Sequence, residues 1–219
     1  MKVLVSGTSR GIGKAIAELY LNKGHEVVGM DILPSSINHE NYLHIQKDIR
    51  DKDLPNIDKI NIIIADAGVQ DEEDAISVNL TGTINFVDKY IASEELKSVL
   101  FLASSSARNG SEFPLYSASK GGVISYMKNL ALKLASRKVT VNSISPGGVI
   151  TPMNQHILED KEKYEAVLKE TLFHKWAKPE EIAEWVCFMT VINSSMTGED
   201  ILIDNGEKDL NATFVWPLN

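Results

Sequence analysis

Tyr116 and Lys120 lie four residues apart in the stretch YSASK, a spacing that places both on one face of a helix. A phenol beside an ammonium group is a proton-transfer pair. Free tyrosine titrates at roughly 10, and a neighbouring cation favours the phenolate and brings that value toward neutrality. The same two residues also suit an ordinary polar helix surface, so their chemistry depends on what surrounds them. A second group stands near the N-terminus. Ser6-Gly7-Thr8-Ser9-Arg10-Gly11-Ile12-Gly13 follows an apolar strand and leads into a helical pattern. Glycines in that position allow a tight turn and let a pyrophosphate approach backbone N–H groups at a helix N-terminus. The spacing G-x-x-x-G-x-G also fits a plain strand-to-helix turn. Asp31 ends the second strand, about twenty residues on, where an acid can bind both hydroxyls of an adenosine ribose and repel a 2′-phosphate. Arg10 pulls the other way, because a base in the loop can meet that phosphate. Asp31 carries more weight, so NAD is expected in preference to NADP, with NADP possible. Asp48, followed by Ile49, can contact adenine or serve as a turn residue.

The elements that must position these residues follow from apolar periodicity. Val3 to Ser6, Glu26 to Asp31, Tyr42 to Gln46, Ile60 to Ala65, Val99 to Ala103, Val139 to Ile144 and Ile201 to Ile203 read as strands. Runs such as INIIIA are continuously apolar, as in a parallel strand covered on both faces. Between them, Ile12/Ala15/Ile16/Leu19/Tyr20, then Ile76/Leu80/Ile84/Val87/Ile91 over 71–93, and Val123/Met127/Leu130/Leu134 over 114–137 recur at helical spacing. Pro179 opens a last helix that reaches Ile192. Alternating strands and helices predict an α/β fold, a parallel sheet with helices on both faces. No repeat or linker divides the 219 residues, so one domain over 1–219 is expected, with a polar, partly helical stretch at about 152–178.

The formal charge of −8 argues against nucleic acid and anionic lipid as partners. Cys187 is the single cysteine and no long apolar run occurs, which suits a soluble cytoplasmic protein with no membrane span. The five histidines show no ligand spacing, and the acids Asp71 to Asp74 are expected to complement a helix dipole in solvent, so no metal is predicted.

With Gly7/Gly11/Gly13, Asp31, Asp66-Ala67-Gly68, Asn79, Tyr116/Lys120 and Pro146-Gly147 in order, nearly the whole chain resembles the short-chain dehydrogenase/reductase family. The resemblance implies a doubly wound Rossmann-like sheet of about seven strands and a hydride transfer between nicotinamide and an alcohol or carbonyl carbon. It makes Tyr116 the general acid/base and gives Lys120 a second task, holding the nicotinamide ribose. It assigns a serine at the end of the fifth strand to the substrate oxygen, Ser105 by register with Ser104 second. Asn79, in SVNLTG, would anchor a water in a proton relay. Ser9, Ile12, Ala67 and Gly68 join the cofactor site, and SPGGVIT would hold the carboxamide through Pro146, Gly147, Val149 and Thr151. The family builds homodimers and homotetramers, and its substrates are small carbonyl compounds or alcohols.

Three departures stand out. Asp66 replaces an asparagine near the sheet centre, where a carboxylate must accept backbone hydrogen bonds. Only ten residues separate Gly68 from Asn79, which leaves out a helix. The segment 152–178, which the resemblance makes a substrate lid, is compact. The apolar tail Phe214 to Leu218 is expected to pack on the lid or on a neighbouring subunit. The rival to an oxidoreductase acting on secondary alcohols or ketones is a non-catalytic dinucleotide sensor on the same fold.

Overall fold

The structure, a computed structural model, describes residues 1–110 and 113–207, so the tail expected to pack on the lid or on a neighbouring subunit lies outside the described residues. Seven parallel strands form one sheet: β1 (Lys2–Ser6), β2 (Glu26–Asp31), β3 (Tyr42–Gln46), β4 (Ile62–Ala65), β5 (Ser98–Leu102), β6 (Thr140–Pro146) and β7 (Asp200–Ile203), in the spatial order β3-β2-β1-β4-β5-β6-β7. Successive side chains of a strand alternate between faces. Leu4 and Ile63 accordingly pack with one core, Val3, Val5, Ile62 and Ile64 with the other. All are fully buried. Burying one such side chain stabilises the fold by about 1.5–3 kcal/mol, which is why the middle of β1 and the whole of β4 are apolar.

The first face is covered by α2 (Thr83–Tyr90) and α4 (Pro114–Leu134), through Phe86, Val87, Val123, Met127 and Leu130. The second is covered by α1 (Gly11–Asn22) and α7 (Pro179–Cys187), which pack together through Ile16, Tyr20, Ile182 and Val186. Gly24, at φ +77°, ends α1 in the left-handed conformation expected of a helix stop. The strand order reverses between β1 and β4. There Ser6 Oγ accepts the N–H groups of Asp66 and Ala67 at 3.1 Å each, tying the two strand ends together. A crevice opens at such a reversal, outside the carboxyl ends of the strands.

Three segments differ from the sequence reading. The helix expected over 71–93 starts at Ile76. Its first turns, Ile76–Gly82, are wound as a π-helix before α2 begins. The extra residue per turn rotates the apolar register, leaving Ile76 part-exposed and bringing Phe86 and Tyr90 into the core. Asp71 precedes the helix in a turn, its Oδ1 accepting the N–H groups of Glu73 and Asp74. A short helix, α3 (Ser106–Asn109), follows β5, and the last helix changes from α to π winding over Phe188–Ile192. The stretch 152–178 contains a 3-10 turn at Pro152–Asn154, then α5 (Gln155–Leu158) and α6 (Lys161–Lys169). Among the described residues no helix is long and apolar enough to cross a membrane, and no cluster of His, Cys, Asp or Glu is arranged to hold a metal ion.

Candidate active site

A cleft of about 390 Å³ runs along the carboxyl edge of the sheet, with the glycine loop on one wall and α4 on the other. The loop is compressed. A Cβ built on Gly13 would stand 2.2 Å from Gly7 O and 2.6 Å from Asp66 Oδ2, so only glycine lets the first turn of α1 sit against the end of β1. Gly7 and Gly11 hold φ values of +82° and +59°, which glycine adopts without strain. α1 begins with no side-chain cap, and its first residues, Gly11 and Ile12, border the cleft. Gly7, Arg10, Gly11 and Ile12 line the cleft; Ser9 and Gly13 lie behind it and support the loop.

Asp31 is fixed from two sides. Its Oδ2 accepts the Ser9 N–H and its Oδ1 the Leu33 N–H, both at 2.9 Å. Ser36 Oγ donates to Ser9 O at 2.7 Å, and Tyr42 Oη donates to Thr8 Oγ1 at 2.8 Å. The edge strand β3 thereby supports the loop from outside. Asp48 and Ile49 also border the cleft. The Asp48 carboxylate is already engaged by Arg50, through its backbone N–H and its guanidinium, and this pairing holds Asp48 below the usual carboxylate range. Arg50 reaches on to Asp74 at 3.0 Å.

On the opposite wall, Tyr116 and Lys120 occupy successive turns of α4, both largely buried, at 8% and 6% exposure. Lys120 Nζ lies 5.9 Å from the Tyr116 ring centroid and donates to Leu102 O at 2.8 Å. Burial pushes the Lys120 ammonium down from the ordinary lysine value, and the Asp66 carboxylate opposes that shift. Asp66 is pushed up by burial and drawn back by the Lys120 cation and by a hydrogen bond from the Gly13 N–H. The backbone donor that the sequence demands for Asp66 is thus Gly13, and Lys120 adds a countercharge to it. Ala67 and Gly68 continue the cleft floor. A Cβ on Gly68 would lie 3.1 Å from Asn79 Oδ1 and 3.4 Å from Lys120 Nζ, so the chain passes close under both side chains.

Asn79 is buried and stands behind the wall. Its Oδ1 accepts the Val69 N–H at 2.8 Å, and its Nδ2 donates to Val69 O at 2.8 Å and to Ser119 Oγ at 3.1 Å. The amide group therefore clamps the chain after β4 to α4, where the sequence reading has it anchor a water. The serine triplet also resolves differently from the register argument. Ser104 lines the cleft beside Tyr116, whereas Ser105, 1% exposed, does not, and its N–H is bound by Pro146 O at 2.9 Å. Ser104 Oγ accepts from Ser106 N and Ser106 Oγ. With its acceptor positions used, the Ser104 hydroxyl has its proton to donate into the cleft. The strand β5 stops at Leu102 and the chain enters α3, which moves the usable hydroxyl one residue toward the strand.

Pro146, Gly147, Val149 and Thr151 close the far end of the cleft. The loop is pinned to the root of the lid by Ile150 N–H to Ala177 O, 2.9 Å, and Ala177 N–H to Gly148 O, 3.0 Å. The Thr151 methyl lies 3.6 Å from a Cβ built on Gly11, so this loop and the glycine loop face each other. Of the residues of 152–178, Pro152, Met153, Asn154 and Trp176 line the cleft. Tyr164 instead packs edge-on against Trp176, and Phe173 is 73% exposed. Trp176 gives no periodic signal in the sequence; only its place just before Lys178-Pro179 marks it.

A family model described as enoyl-(acyl carrier protein) reductase matches residues 56–208. The chain is 27% identical over 241 residues to a glucose 1-dehydrogenase of Gluconobacter oxydans, with 94% of this chain and 91% of that one covered. It is 30% identical over 228 residues to an acetoacetyl-CoA reductase of Synechocystis, with 92% and 94% covered. Among solved structures, the aldohexose dehydrogenase of Thermoplasma acidophilum matches at a TM-score of 0.86 over 99% of this chain and 97% of that one. At 23% identity this is a likeness of fold. A reversal-point crevice edged by a glycine loop and a Tyr-Lys helix, together with these matches along most of the chain, places it among oxidoreductases that bind nicotinamide dinucleotides: the chain belongs to the short-chain dehydrogenase/reductase family.

Proposed function

We propose that the protein is an NAD(P)-dependent oxidoreductase acting on a secondary alcohol or ketone, with Tyr116 as general acid/base. The observation that carries this reading is the convergence of Tyr116, Lys120 and Ser104 on one wall of the cleft, facing the glycine loop and the Pro146–Thr151 loop. The residues fit a dinucleotide. The uncapped start of α1 suits a pyrophosphate, and Asp31 at the end of β2 suits the adenosine ribose and favours NAD over NADP. Arg10, exposed beside it, is the residue that would admit NADP. Ile49 supplies an apolar surface for adenine, with Asp48 at its edge. Pro146, Gly147, Val149 and Thr151 are placed for the carboxamide end.

Bound nicotinamide supplies or accepts the hydride. Tyr116 gives its phenolic proton to the carbonyl oxygen during reduction and takes it back during oxidation. Ser104 donates a hydrogen bond to the same oxygen, and the Lys120 cation favours the phenolate while reaching the nicotinamide ribose. Asn79 keeps the wall in register through Val69 and Ser119. The relatives are named for a sugar and for an acyl thioester, and Met153 and Trp176 point to a partly apolar substrate. We place the activity in the cytoplasm, in a homodimer or homotetramer of one-domain chains, each with its lid at 152–178.

The test is Tyr116→Phe, assayed with NADH and NADPH against a panel of sugars, acetoacetyl thioesters and simple ketones. Turnover is expected to fall by about 10²–10⁴-fold with NADH binding, read by fluorescence, retained. Full turnover by this variant overturns the reading. NADH binding with no turnover by the wild type on any substrate favours the sensor.

A further inference from the structure

The N-terminus of α4, which carries Tyr116 on its first turn, is capped from another part of the chain. An α-helix begins with four backbone N–H groups that have no partner within the helix. Here Pro114 occupies the first position and contributes no N–H, and the side chain of the cap residue, Phe113, makes no capping bond. The next two donors both turn to Glu72. Leu115 N–H lies 3.1 Å from Glu72 Oε1 and 3.2 Å from Oε2, and Tyr116 N–H lies 3.3 Å from Oε1. Ser117 N–H then makes the first i→i−4 bond of the helix, to Phe113 O at 2.9 Å. A carboxylate from 43 residues earlier in the chain thus does what a Ser or Asp at the cap position usually does, and it adds a negative charge at the positive end of the helix dipole.

Glu72 lies in the shortened segment between Gly68 and Asn79. That segment is tied to α4 at two points: Glu72 to Leu115 and Tyr116, and Asn79 to Ser119. The acids Asp71 to Asp74 therefore do not serve a single helix dipole as a solvated group. Asp71 forms a turn, Asp74 meets Arg50, and Glu72 serves the helix that bears the proton-transfer pair.

We infer that Glu72 is a positioning residue, holding the first turn of α4 so that Tyr116 keeps its place in the cleft. This rests on the oxidoreductase reading, since it concerns the aim of the proton donor. A first-turn cap fixes backbone position to within a hydrogen-bond length, and misplacing a reacting group by about 1 Å costs on the order of 10²-fold in rate.

The experiment compares Glu72→Ala and Glu72→Gln with the wild type in the full-length protein. Amide hydrogen exchange in the segment starting at Leu115 reads the cap without reference to activity. Steady-state kinetics on the best substrate of the panel above read its consequence. The expected result for Glu72→Ala is faster exchange at the start of α4, a fall in kcat of at least tenfold and KM for the dinucleotide within twofold. Glu72→Gln, whose amide oxygen still accepts an N–H, recovers most of both. Unchanged exchange in Glu72→Ala overturns the cap. Faster exchange with unchanged kcat, while Tyr116→Phe is inactive, overturns the positioning role and leaves a purely structural one. Full activity of Tyr116→Phe instead overturns the function, and the aim of Tyr116 with it, while the exchange result still decides the contact.

Discussion

A methyl group on Gly13 would collide with Gly7 O at 2.2 Å, whereas α5 and α6 of the lid bury no residue. The two sides of one cleft are built to different tolerances. The glycine loop, Asp31 and the foot of α4 are held by backbone contacts and by side chains whose hydrogen bonds are filled: Asp31 by Ser9 and Leu33, Asn79 by Val69 and Ser119. The lid is rooted at Thr171, Trp176 and Ala177, which are buried, and is half-buried or exposed elsewhere. The difference teaches where each kind of specificity resides. The part that the proposed function gives to the cofactor is closely packed and hydrogen-bonded. The part it gives to the substrate buries no residue in α5 or α6 and so leaves room to change side chains without disturbing the sheet.

If that division is right, substitutions on the rigid wall alter rate or binding strongly, and substitutions on the lid alter KM alone. After Tyr116→Phe, the largest effect is expected at Ser104. Ser104→Ala removes a hydrogen bond that strengthens as charge develops on the substrate oxygen, so kcat falls by about 10²-fold, while Ser105→Ala keeps kcat within threefold. Equal losses in both, measured by steady-state turnover, would return the role to the strand register. Gly13→Ala comes next. Overpacking of the loop destabilises by about 1–3 kcal/mol, read by denaturant unfolding, and weakens NADH binding in the same protein. A fully stable variant with normal binding would show that the loop yields. Asp31→Ala then moves dinucleotide preference toward NADP by roughly tenfold, the scale of a hydrogen bond to a charged group. An unchanged ratio of kcat/KM for the two dinucleotides would assign the choice to Arg10.

Asp66 sharpens the comparison through pH. Burial holds its carboxyl above the ordinary carboxylate value, so the folded protein binds a proton that the unfolded chain has released. The stabilisation is fully present below the unfolded value of about 4 and is lost as pH rises through the folded value. Asp66→Asn has no such loss. Its melting temperature should therefore gain on that of the wild type between pH 4 and neutrality, and a difference that stays flat across that range contradicts the burial of a charge there. The smallest effect is expected on the lid, where Met153→Ala changes substrate KM by no more than threefold and leaves kcat and melting temperature alone.

Several features of the site were legible because they are local. A strand running into glycines and then into a helix, an acid at the next strand end and a tyrosine one turn before a lysine are each contained in a short stretch of chain. Their geometry follows from the periods of helix and strand. Central strands such as β4 and β5 were legible for the related reason that burial on both faces demands apolar runs. What escaped the sequence depends on where an element stops or on a partner far along the chain. Whether Ser104 or Ser105 meets the cleft is set by β5 ending at Leu102. Asp48 is captured by Arg50, whose guanidinium is itself held by Asp74. The π turns that bring the Asn79 amide onto Val69 have no residue signature in SVNLTG.

By itself, the sequence determined the α/β alternation, the glycine turn between β1 and α1, and the placing of a tyrosine and a lysine on one helix face. Tertiary structure alone decided which serine faces the cleft, which N–H meets Asp66, and that Glu72 rather than a neighbour of Phe113 caps the helix of Tyr116. The reason is the range of the forces involved. Periodicity and propensity act over a few residues, whereas hydrogen bonds and burial depend on which distant backbones the fold has brought within about 3 Å of one another.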